Sequence, residues 1–440
     1  MKKNQFQIFL IGLGGVSMSG LAKLLLDEKF KVLGSDTGDS AVLQELKSKG
    51  VKIYRSHKAT NITSNINLVV FSGAIKKDNP EILQAKKLNI PVLERSEFLG
   101  VISKEYKHLI AVSGTHGKTT TTAMIGEIFI LSGLNPTIHL GGTSVNLKTN
   151  TYIGDKDYLI IEACEYRNSF RYLKPETAVI TNIECDHLDY YRNLSHITKC
   201  FASFAKKSKS VIKNYTVNIK HNKLINISQD FYAKDIKFKN FGYEYDVYKL
   251  GQFYASFRLN MIGLHNVENS LFAIAVADKY NIPKDIIKDA ISNFNGVERR
   301  YEKIAEISGI PIIIDYAHHP TEIAKSIDGI MQVYNNPLVI FQPHTYTRTL
   351  ALFDGFINVL KTVKNLILYP TYPAREKELK GGKSEDLYNR LKDISNCKFI
   401  NDISAVTEEI NEQTFTQNID AVLILGAGNL AEQAKKLLKS

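Results

Sequence analysis

The sequence has few cysteines and no long apolar run, and both shortages narrow the class of protein. Its four cysteines, Cys164, Cys185, Cys200 and Cys397, form no C-x-x-C pair, so neither a zinc ribbon nor a disulfide framework is indicated. No segment reaches the ~18 uninterrupted apolar residues of a membrane span. The first fifteen residues superficially resemble a signal peptide but contain no small-residue cleavage site. We therefore expect a cytoplasmic protein without membrane insertion.

Basic clusters are also missing, although the formal net charge is +11. Lysine and arginine are spread along the chain, and no nucleic-acid motif accompanies them. A lysine-rich composition that keeps the protein soluble accounts for the charge, so we expect no nucleic-acid partner. The length of 440 residues fits three domains of roughly 150 residues each.

The most informative segment is Gly114-Thr115-His116-Gly117-Lys118-Thr119-Thr120, which follows an apolar run at Leu109–Val112. A helix is predicted after it, up to Leu131. Glycines between a strand and a helix let backbone N–H groups close on a polyphosphate, a lysine neutralises its charge, and a threonine hydroxyl can hold Mg²⁺. The common G-x-x-x-x-G-K-[ST] spacing would need a glycine where Val112 stands. The flanking pattern still favours a nucleoside-triphosphate site over a coincidental turn.

Strand-like apolar runs alternate with amphipathic stretches along most of the chain, which predicts an α/β fold with parallel sheets. We divide the chain into three domains at residues 1–106, 107–296 and 297–440. The segment 212–262 has weak periodicity, and only short strands are predicted there.

Several strand ends carry candidate ligands. Gly12-x-Gly14-Gly15 follows the first strand, with Ser17 in place of the third glycine of a dinucleotide fingerprint, and Asp36 ends the second strand. This pattern fits either a nucleotide-diphosphate site or a merely tight turn. Glu162 ends a strand behind the phosphate loop, where Mg²⁺ would need an oxygen ligand; a surface carboxylate is the alternative. His187 follows Asp186 in the same predicted crevice, as a ligand or a structural hydrogen-bonding residue.

Two further polar segments begin where strands of the third block stop. They are Asp315-Tyr316-Ala317-His318-His319-Pro320-Thr321-Glu322 and Gln342-Pro343-His344-Thr345-Tyr346-Thr347-Arg348-Thr349. The two segments suggest a charged ligand reached from the third domain, with unrelated polar loops as the alternative. Joint metal ligation by the two neighbouring histidines is disfavoured, because adjacent side chains rarely face the same point.

The order of these segments resembles the Mur ligases of peptidoglycan synthesis, and within them the alanine-adding branch. The resemblance covers nearly the whole chain. It depends on the motifs Ile11–Ala22, Gly114–Thr120, Thr181–Glu184 with Asp186-His187, His265-Asn266-Val267 with Asn269, Arg299–Glu302, Asp315–Glu322 and Phe341–His344.

The resemblance implies a Rossmann-like N-terminal domain, a central P-loop ATPase-type domain and a Rossmann-like C-terminal domain. It implies an ATP-dependent amide ligase that joins L-alanine to the carboxylate of UDP-N-acetylmuramate through an acyl phosphate. The co-substrate is ATP, the metal is Mg²⁺, and the chain is expected to be a monomer or a weak homodimer.

The implied site roles follow the family motifs. Lys118 binds the β/γ-phosphates, Thr119 and Glu162 hold a first Mg²⁺, and His187 holds a second metal. The remaining implied ligands are Asn266 and Asn269 for adenine, Arg300, Asp315 and His318 for phosphate and amino acid, Arg348 for the alanine carboxylate, and Gly14, Gly15, Asp36 and Ser72 for the UDP moiety.

Three alternatives remain open. A recycling ligase would join a preformed peptide to the same nucleotide sugar. A nicotinamide-dependent oxidoreductase would use the first glycine turn but leave Gly117-Lys118-Thr119 unexplained. A non-catalytic nucleotide-binding partner protein would have no need for the intact loop. Thr345 and Leu350 also stand where many members carry arginines, so alanine recognition is expected to depend more on Arg348.

Overall fold

The structure is a computed structural model that describes residues 3–188, 190–416 and 419–437. In these residues the strands form three sheets, of five, ten and six strands, that succeed one another along the chain. The expected α/β architecture in three parts is confirmed. No helix among the described residues combines the length and apolar character needed to cross a membrane.

The first sheet is wholly parallel and has the order β3-β2-β1-β4-β5. Its elements are β1 (Gln7–Ile11), α1 (Val16–Asp27), β2 (Lys31–Ser35), α2 (Ala41–Ser48), β3 (Lys52–Tyr54), β4 (Leu68–Phe71), α3 (Pro80–Lys87), β5 (Val92–Glu94) and α4 (Arg95–Ile102). The chain direction across the sheet reverses beside β1, and such a switch point opens a ligand crevice at the carboxyl ends of the strands.

The second sheet has a parallel centre and antiparallel edges, in the order β15-β14-β13-β12-β11-β10-β6-β9-β7-β8. Its elements are β6 (His108–Ser113), α5 (Lys118–Leu131), β7 (Thr137–Ser144), β8 (Thr149–Tyr152), β9 (Tyr158–Glu162), β10 (Thr177–Ile180), α6 (Leu194–Lys206), β11 (Ser210–Asn214), β12 (Leu224–Ile227), β13 (Phe231–Lys239), β14 (Gly242–Lys249), β15 (Gln252–Leu259), α7 (His265–Lys279) and α8 (Lys284–Ser292).

The segment 212–262 is more ordered than the sequence predicted. Strands β13, β14 and β15 are eight or nine residues long and form an antiparallel meander. Tyr243, Tyr245 and Val247 are buried, so alternate residues of β14 face the core as in a half-buried strand. The many lysines and asparagines in this segment hid the alternation of apolar and polar residues that marks a strand.

The third sheet has the order β16-β17-β21-β18-β19-β20, and only the edge strand β16 runs antiparallel to its neighbour in the described residues. Its elements are β16 (Glu302–Ile307), β17 (Ile310–Asp315), α9 (Pro320–Met331), β18 (Pro337–Phe341), α10 (Tyr346–Ala351), α11 (Phe353–Leu360), β19 (Asn365–Leu368), α12 (Ser384–Leu391), β20 (Cys397–Phe399), α13 (Ile403–Thr416), β21 (Ala421–Leu425) and α14 (Leu430–Leu437).

The apolar core joins the first two sheets and leaves the third separate. One cluster runs from Leu10 and Leu24 in the first unit to Ile161 and Phe201 in the second. The third sheet has its own clusters, one containing Phe341 and the other containing Ile312 and Ile340. The third unit therefore meets the others mainly through the polar residues described next.

Candidate functional site

The glycine loop between β6 and α5 has the backbone of an anion cradle. Gly114 and Gly117 have φ of 143° and 81°, and Gly117 caps α5 with no side-chain hydrogen bond. A Cβ at Gly114 would lie 2.0 Å from Thr181 Oγ1, and one at Gly117 would lie 2.4 Å from Asn269 Oδ1. Both positions therefore need glycine, and the N-terminal N–H groups of α5 remain available to an anion.

Lys118 is held at this loop by two backbone oxygens and a carboxylate. Its Nζ donates to the carbonyl oxygens of Gly114 at 2.6 Å and Thr115 at 3.0 Å, and it pairs with Glu165 at 3.0 Å. Burial would lower the pKa of Lys118, but the Glu165 and Glu162 carboxylates outweigh burial and raise it above its ordinary value. The ammonium group is therefore charged and positioned before a phosphate arrives.

Thr119 and Glu162 meet as the sequence predicted. The Thr119 hydroxyl donates to Glu162 Oε2 at 2.7 Å, and the same oxygen accepts from the Gly141 N–H at 2.9 Å. A Cβ at Gly141 would lie 2.5 Å from Glu162 Oε2, so only glycine permits this approach. A hydroxyl and a carboxylate are the hard oxygen donors that Mg²⁺ prefers, and these residues fit that ion.

His187 and Arg348 continue the site toward the third unit. His187 has a φ of 54°, and its Nε2 lies 3.6 Å from Glu165 Oε1 and 3.7 Å from Asp186 Oδ2. Arg348 Nε donates to Asp186 Oδ1 at 3.1 Å. The Arg348 cation lowers the pKa of Asp186, although burial opposes the shift. The sequence did not predict that Arg348 is already paired with a carboxylate of the central unit.

A second polar bridge joins the phosphate loop to helix α9. His116 Nδ1 lies 3.0 Å from Glu322 Oε1, and His116 Nε2 lies 3.4 Å from Glu184 Oε2. Burial disfavours the charged imidazole, but the Glu322 and Glu184 carboxylates raise the pKa of His116 to about 9. His319 lies beside this group, and ligand atoms of His116, Glu184 and His319 come within 4.8 Å of one another.

The two neighbouring histidines diverge, as expected. His318 Nδ1 lies 2.9 Å from the Tyr316 carbonyl oxygen and 3.3 Å from Glu322, whereas His319 Nε2 lies 3.3 Å from the Cys185 carbonyl oxygen. Burial lowers the pKa of His318 to about 3, so its imidazole is neutral at physiological pH.

A cavity between the central and third units collects the other expected nucleotide ligands. Arg300 lies 3.9 Å from both Asp315 and Glu322, and Asn269 donates to Asn266 at 3.0 Å. The cavity is lined by His116, Gly117, Thr120, Asn182, His265, Asn266, Glu268, Asn269, Arg300, Tyr301, Asp315, Glu322, Lys325 and Ser326. It opens beside the phosphate loop, where the base of a bound nucleotide would extend.

The glycine turn after β1 forms a separate cleft. The Gly14 N–H donates to Asp36 Oδ2 at 2.8 Å, and a Cβ at Gly14 would lie 3.0 Å from that oxygen. Gly12 has a φ of 82°, and its Cβ position lies 3.1 Å from Ser72 Cβ. Gly15 caps α1 without a side-chain hydrogen bond. The four residues expected at a UDP moiety therefore lie around one crevice.

Sequence reasoning missed three groups of this site, the Glu165, Glu184 and Glu322 carboxylates, and it did not predict that His116 of the phosphate loop contacts the last two. Glu184 and Glu322 stood inside the quoted motifs, but a motif does not show which side chains meet across domains. The position of Glu165, three residues after Glu162 at a strand end, was a usable signal.

The fold and site define a three-unit α/β protein in which a phosphate-loop domain meets a third α/β unit across a polar interface. Family models match it along its length: "Mur ligase family, catalytic domain" at residues 7–107, "Mur ligase middle domain" at 112–277 and "Mur ligase, glutamate ligase domain" at 299–428. A UDP-N-acetylmuramate–L-alanine ligase of Caldicellulosiruptor saccharolyticus is 41% identical over 96% of both chains. The chain belongs to the Mur ligase family.

Two solved structures agree with this membership. The UDP-N-acetylmuramate–alanine ligase of Thermotoga maritima superposes with a TM-score of 0.84, at 26% identity and 98% coverage of both chains. A murein peptide ligase of Psychrobacter arcticus has a TM-score of 0.75 at 25% identity, covering 99% of this chain and 98% of its own. The alanine-adding ligase is the more similar of these two folds.

Proposed function

We propose that this chain is an ATP-dependent ligase that joins L-alanine to the carboxylate of UDP-N-acetylmuramate, the first amino-acid addition in cytoplasmic peptidoglycan precursor synthesis. One observation carries the proposal: a line of side chains connects the phosphate loop to the third unit. Lys118 contacts Glu165, Glu165 lies 3.6 Å from His187, His187 lies 3.7 Å from Asp186, and Asp186 holds Arg348. A ligase needs a phosphate, a carboxylate and an amine aligned in this way.

The order of the chemical steps follows from the low reactivity of a carboxylate toward an amine. A carboxylate is a poor acyl donor, so its oxygen first attacks the γ-phosphorus of ATP and ADP leaves. The amine, after giving up a proton, attacks the carbonyl carbon of the acyl phosphate, and inorganic phosphate leaves. Catalysis of this kind consists mainly of positioning and charge neutralisation.

Each site residue has a role in that sequence. Lys118 neutralises the transferred phosphoryl group. Thr119 and Glu162 would hold Mg²⁺ and His187 would hold a second metal, and such ions would supply charge neutralisation at the reacting oxygens. Arg348 binds the carboxylate of L-alanine, and its guanidinium is shared between that carboxylate and Asp186.

The central and third units supply the other nucleotide contacts. Asn266 and Asn269 bind the adenine, while Arg300, Asp315 and His318 reach the phosphates and the amino acid. The UDP moiety lies in the crevice of Gly14, Gly15, Asp36 and Ser72. The domain limits are 1–106, 107–296 and 297–440. The chain is a monomer or a weak homodimer.

A phosphate-release assay tests the function and its rivals together. ADP and phosphate should appear only when UDP-N-acetylmuramate and L-alanine are both present, and Lys118→Ala should remove the activity. L-alanine should be used in preference to glycine, L-serine and L-Ala-γ-D-Glu-containing peptides. Faster turnover with the peptides would favour the recycling ligase, and unchanged phosphate release in the Lys118→Ala variant would contradict the mechanism.

A further inference from the structure

Arg95 lies at the crevice of the first sheet, outside both the glycine turn after β1 and the phosphate loop. It is the first residue of α4, directly after β5. Since β5 is parallel to the other strands, Arg95 lies at the same carboxyl edge as the glycine turn after β1. Its Nη1 donates to Ser17 Oγ at 3.2 Å, and Ser17 is the second residue of α1.

The half-buried guanidinium of Arg95 has no carboxylate partner. Among the residues that the structure describes, no aspartate or glutamate forms an ion pair with it. The adjacent Glu94 instead accepts a hydrogen bond from Ser96 Oγ at 3.1 Å. A guanidinium that lies at a crevice and has no carboxylate partner is suited to bind a ligand with anionic oxygens.

The contacts of Ser17 place Arg95 between the first crevice and the phosphoryl-transfer centre. Ser17 Oγ lies 2.8 Å from His139 Nε2. His139 belongs to β7, two residues before Gly141, whose N–H binds Glu162. Burial, with the nearby Arg95 cation, lowers the pKa of His139 to about 3, so His139 is neutral and Arg95 carries the positive charge at this junction.

We propose, on the basis of the proposed function, that Arg95 binds the diphosphate of the UDP-sugar and that Ser17 orients its guanidinium. A diphosphate at the N-terminus of α1 would meet the N–H groups of the first turn of that helix, which have no partner within the helix. The hydrogen bond from Arg95 to Ser17 brings the guanidinium to the same turn of helix. Arg95 is thus a substrate-binding residue that fixes where the sugar and its carboxylate enter the central site.

Calorimetric titration of the full chain tests this assignment with two ligands. UDP-N-acetylglucosamine has the diphosphate but lacks the lactyl carboxylate of UDP-N-acetylmuramate. Arg95→Met should weaken binding of both ligands at least tenfold and leave uridine binding unchanged, and Arg95→Lys should recover part of the loss. Arg258→Met, the same change in the distant strand β15, should bind both ligands as the wild type does.

Each other outcome overturns the proposal. Weakened binding of UDP-N-acetylmuramate alone would assign Arg95 to the carboxylate. Unchanged Kd values together with a lower unfolding temperature would assign it a structural role through Ser17. If the wild type itself binds neither nucleotide sugar, the proposed function fails first, and the two failures are therefore distinguishable.

Discussion

At the scale of single residues, the ion pair between Lys118 and Glu165 prepares the phosphate loop. Glu165 is buried and Lys118 is partly buried, and the Tyr191 hydroxyl donates to the Glu165 carbonyl oxygen. The nearby Lys118 and His187 lower the pKa of Glu165 although burial alone would raise it. Glu165 therefore compensates the Lys118 charge where a nucleotide phosphate would otherwise do so.

Removing the Glu165 charge should destabilise the ligand-free protein most. Glu165→Gln leaves Lys118, whose side chain is only 14% exposed, without its carboxylate partner, and breaking a largely buried pair in this way costs about 3 kcal/mol. Saturating ATP with Mg²⁺ should reduce that loss, because phosphate oxygens then neutralise Lys118. Urea unfolding with and without nucleotide measures both values.

A matched change separates this effect from a general loss of charge. Glu176 is partly exposed and pairs with His108 and Lys209, so Glu176→Gln should cost less and should not respond to nucleotide. Equal losses of stability for Glu165→Gln with and without ATP would show that the pair has no connection with the phosphate site.

At the scale of elements, the N-terminal turn of α9 contacts the phosphate loop through His116. Glu322 and Thr321 of α9 contact His116 and Glu184 of the central unit. Glu322 also accepts the His318 N–H and lies near Arg300. The helix thus brings a carboxylate to a loop that otherwise binds anions, and protonated His116 makes this contact favourable.

The His116–Glu322 contact should show a measurable coupling energy. In a double-mutant cycle with His116→Asn and Glu322→Gln, the two changes should be non-additive by about 1–3 kcal/mol in urea unfolding. The single variants should also raise the KM for ATP, because the cavity for the nucleotide lies beneath this contact. Additive effects would show that the two side chains are neighbours without energetic coupling.

The same coupling should fall as the pH rises. The folded-state pKa of His116 is raised to about 9 from an ordinary 6.5, so its contribution is fully present below pH 6.5 and is lost as the pH rises through 9. Glu184 and Glu322 have lowered pKa values and stay ionised in this window, and the pKa of His319 is also lowered. Repeating the cycle at pH 6.5 and pH 9 measures the change, and a constant coupling would contradict the assignment of charge to His116.

At the scale of the whole molecule, the two interfaces between the three units differ in kind. The first and central units share an apolar cluster, and α1 packs closely on β7 and β8. The central and third units meet at charged and amide side chains around the cavity beside the phosphate loop. Since charged interfaces are easily resolvated, we expect substrate-driven rearrangement at the second interface and rigidity at the first.

Gly20 tests the rigid interface. A Cβ there would lie 2.3 Å from Thr151 Oγ1 and 2.6 Å from His139 Cε1. Alanine improves helix propensity by about 1 kcal/mol, yet Gly20→Ala should lower the unfolding free energy by about 1–3 kcal/mol through overpacking. Adding Thr151→Ala should recover part of the loss in the same urea titration. A Gly20→Ala variant as stable as the wild type would show that α1 can move away from the central sheet.

The sequence by itself determined most of the local elements and the candidate ligands at their ends. The strands Gln7–Ile11, Thr177–Ile180 and Ala421–Leu425 lie on apolar runs that stop at polar or glycine residues, because such a run allows few other conformations. The helix predicted from Thr121 begins earlier, at Lys118, because the glycine cradle itself starts the helix.

Only the tertiary structure decided which of these ends meet. The pairs Lys118–Glu165, Asp186–Arg348 and His116–Glu322 join residues 47 to 206 positions apart, and no local pattern encodes such a distance. The same holds for Arg95, which is an ordinary helix start in the sequence and becomes a candidate ligand only where the ends of β1 and β5 lie at the same edge of the sheet. Chain propensity acts between near neighbours, whereas charge and shape complementarity across domains act only after the chain has folded.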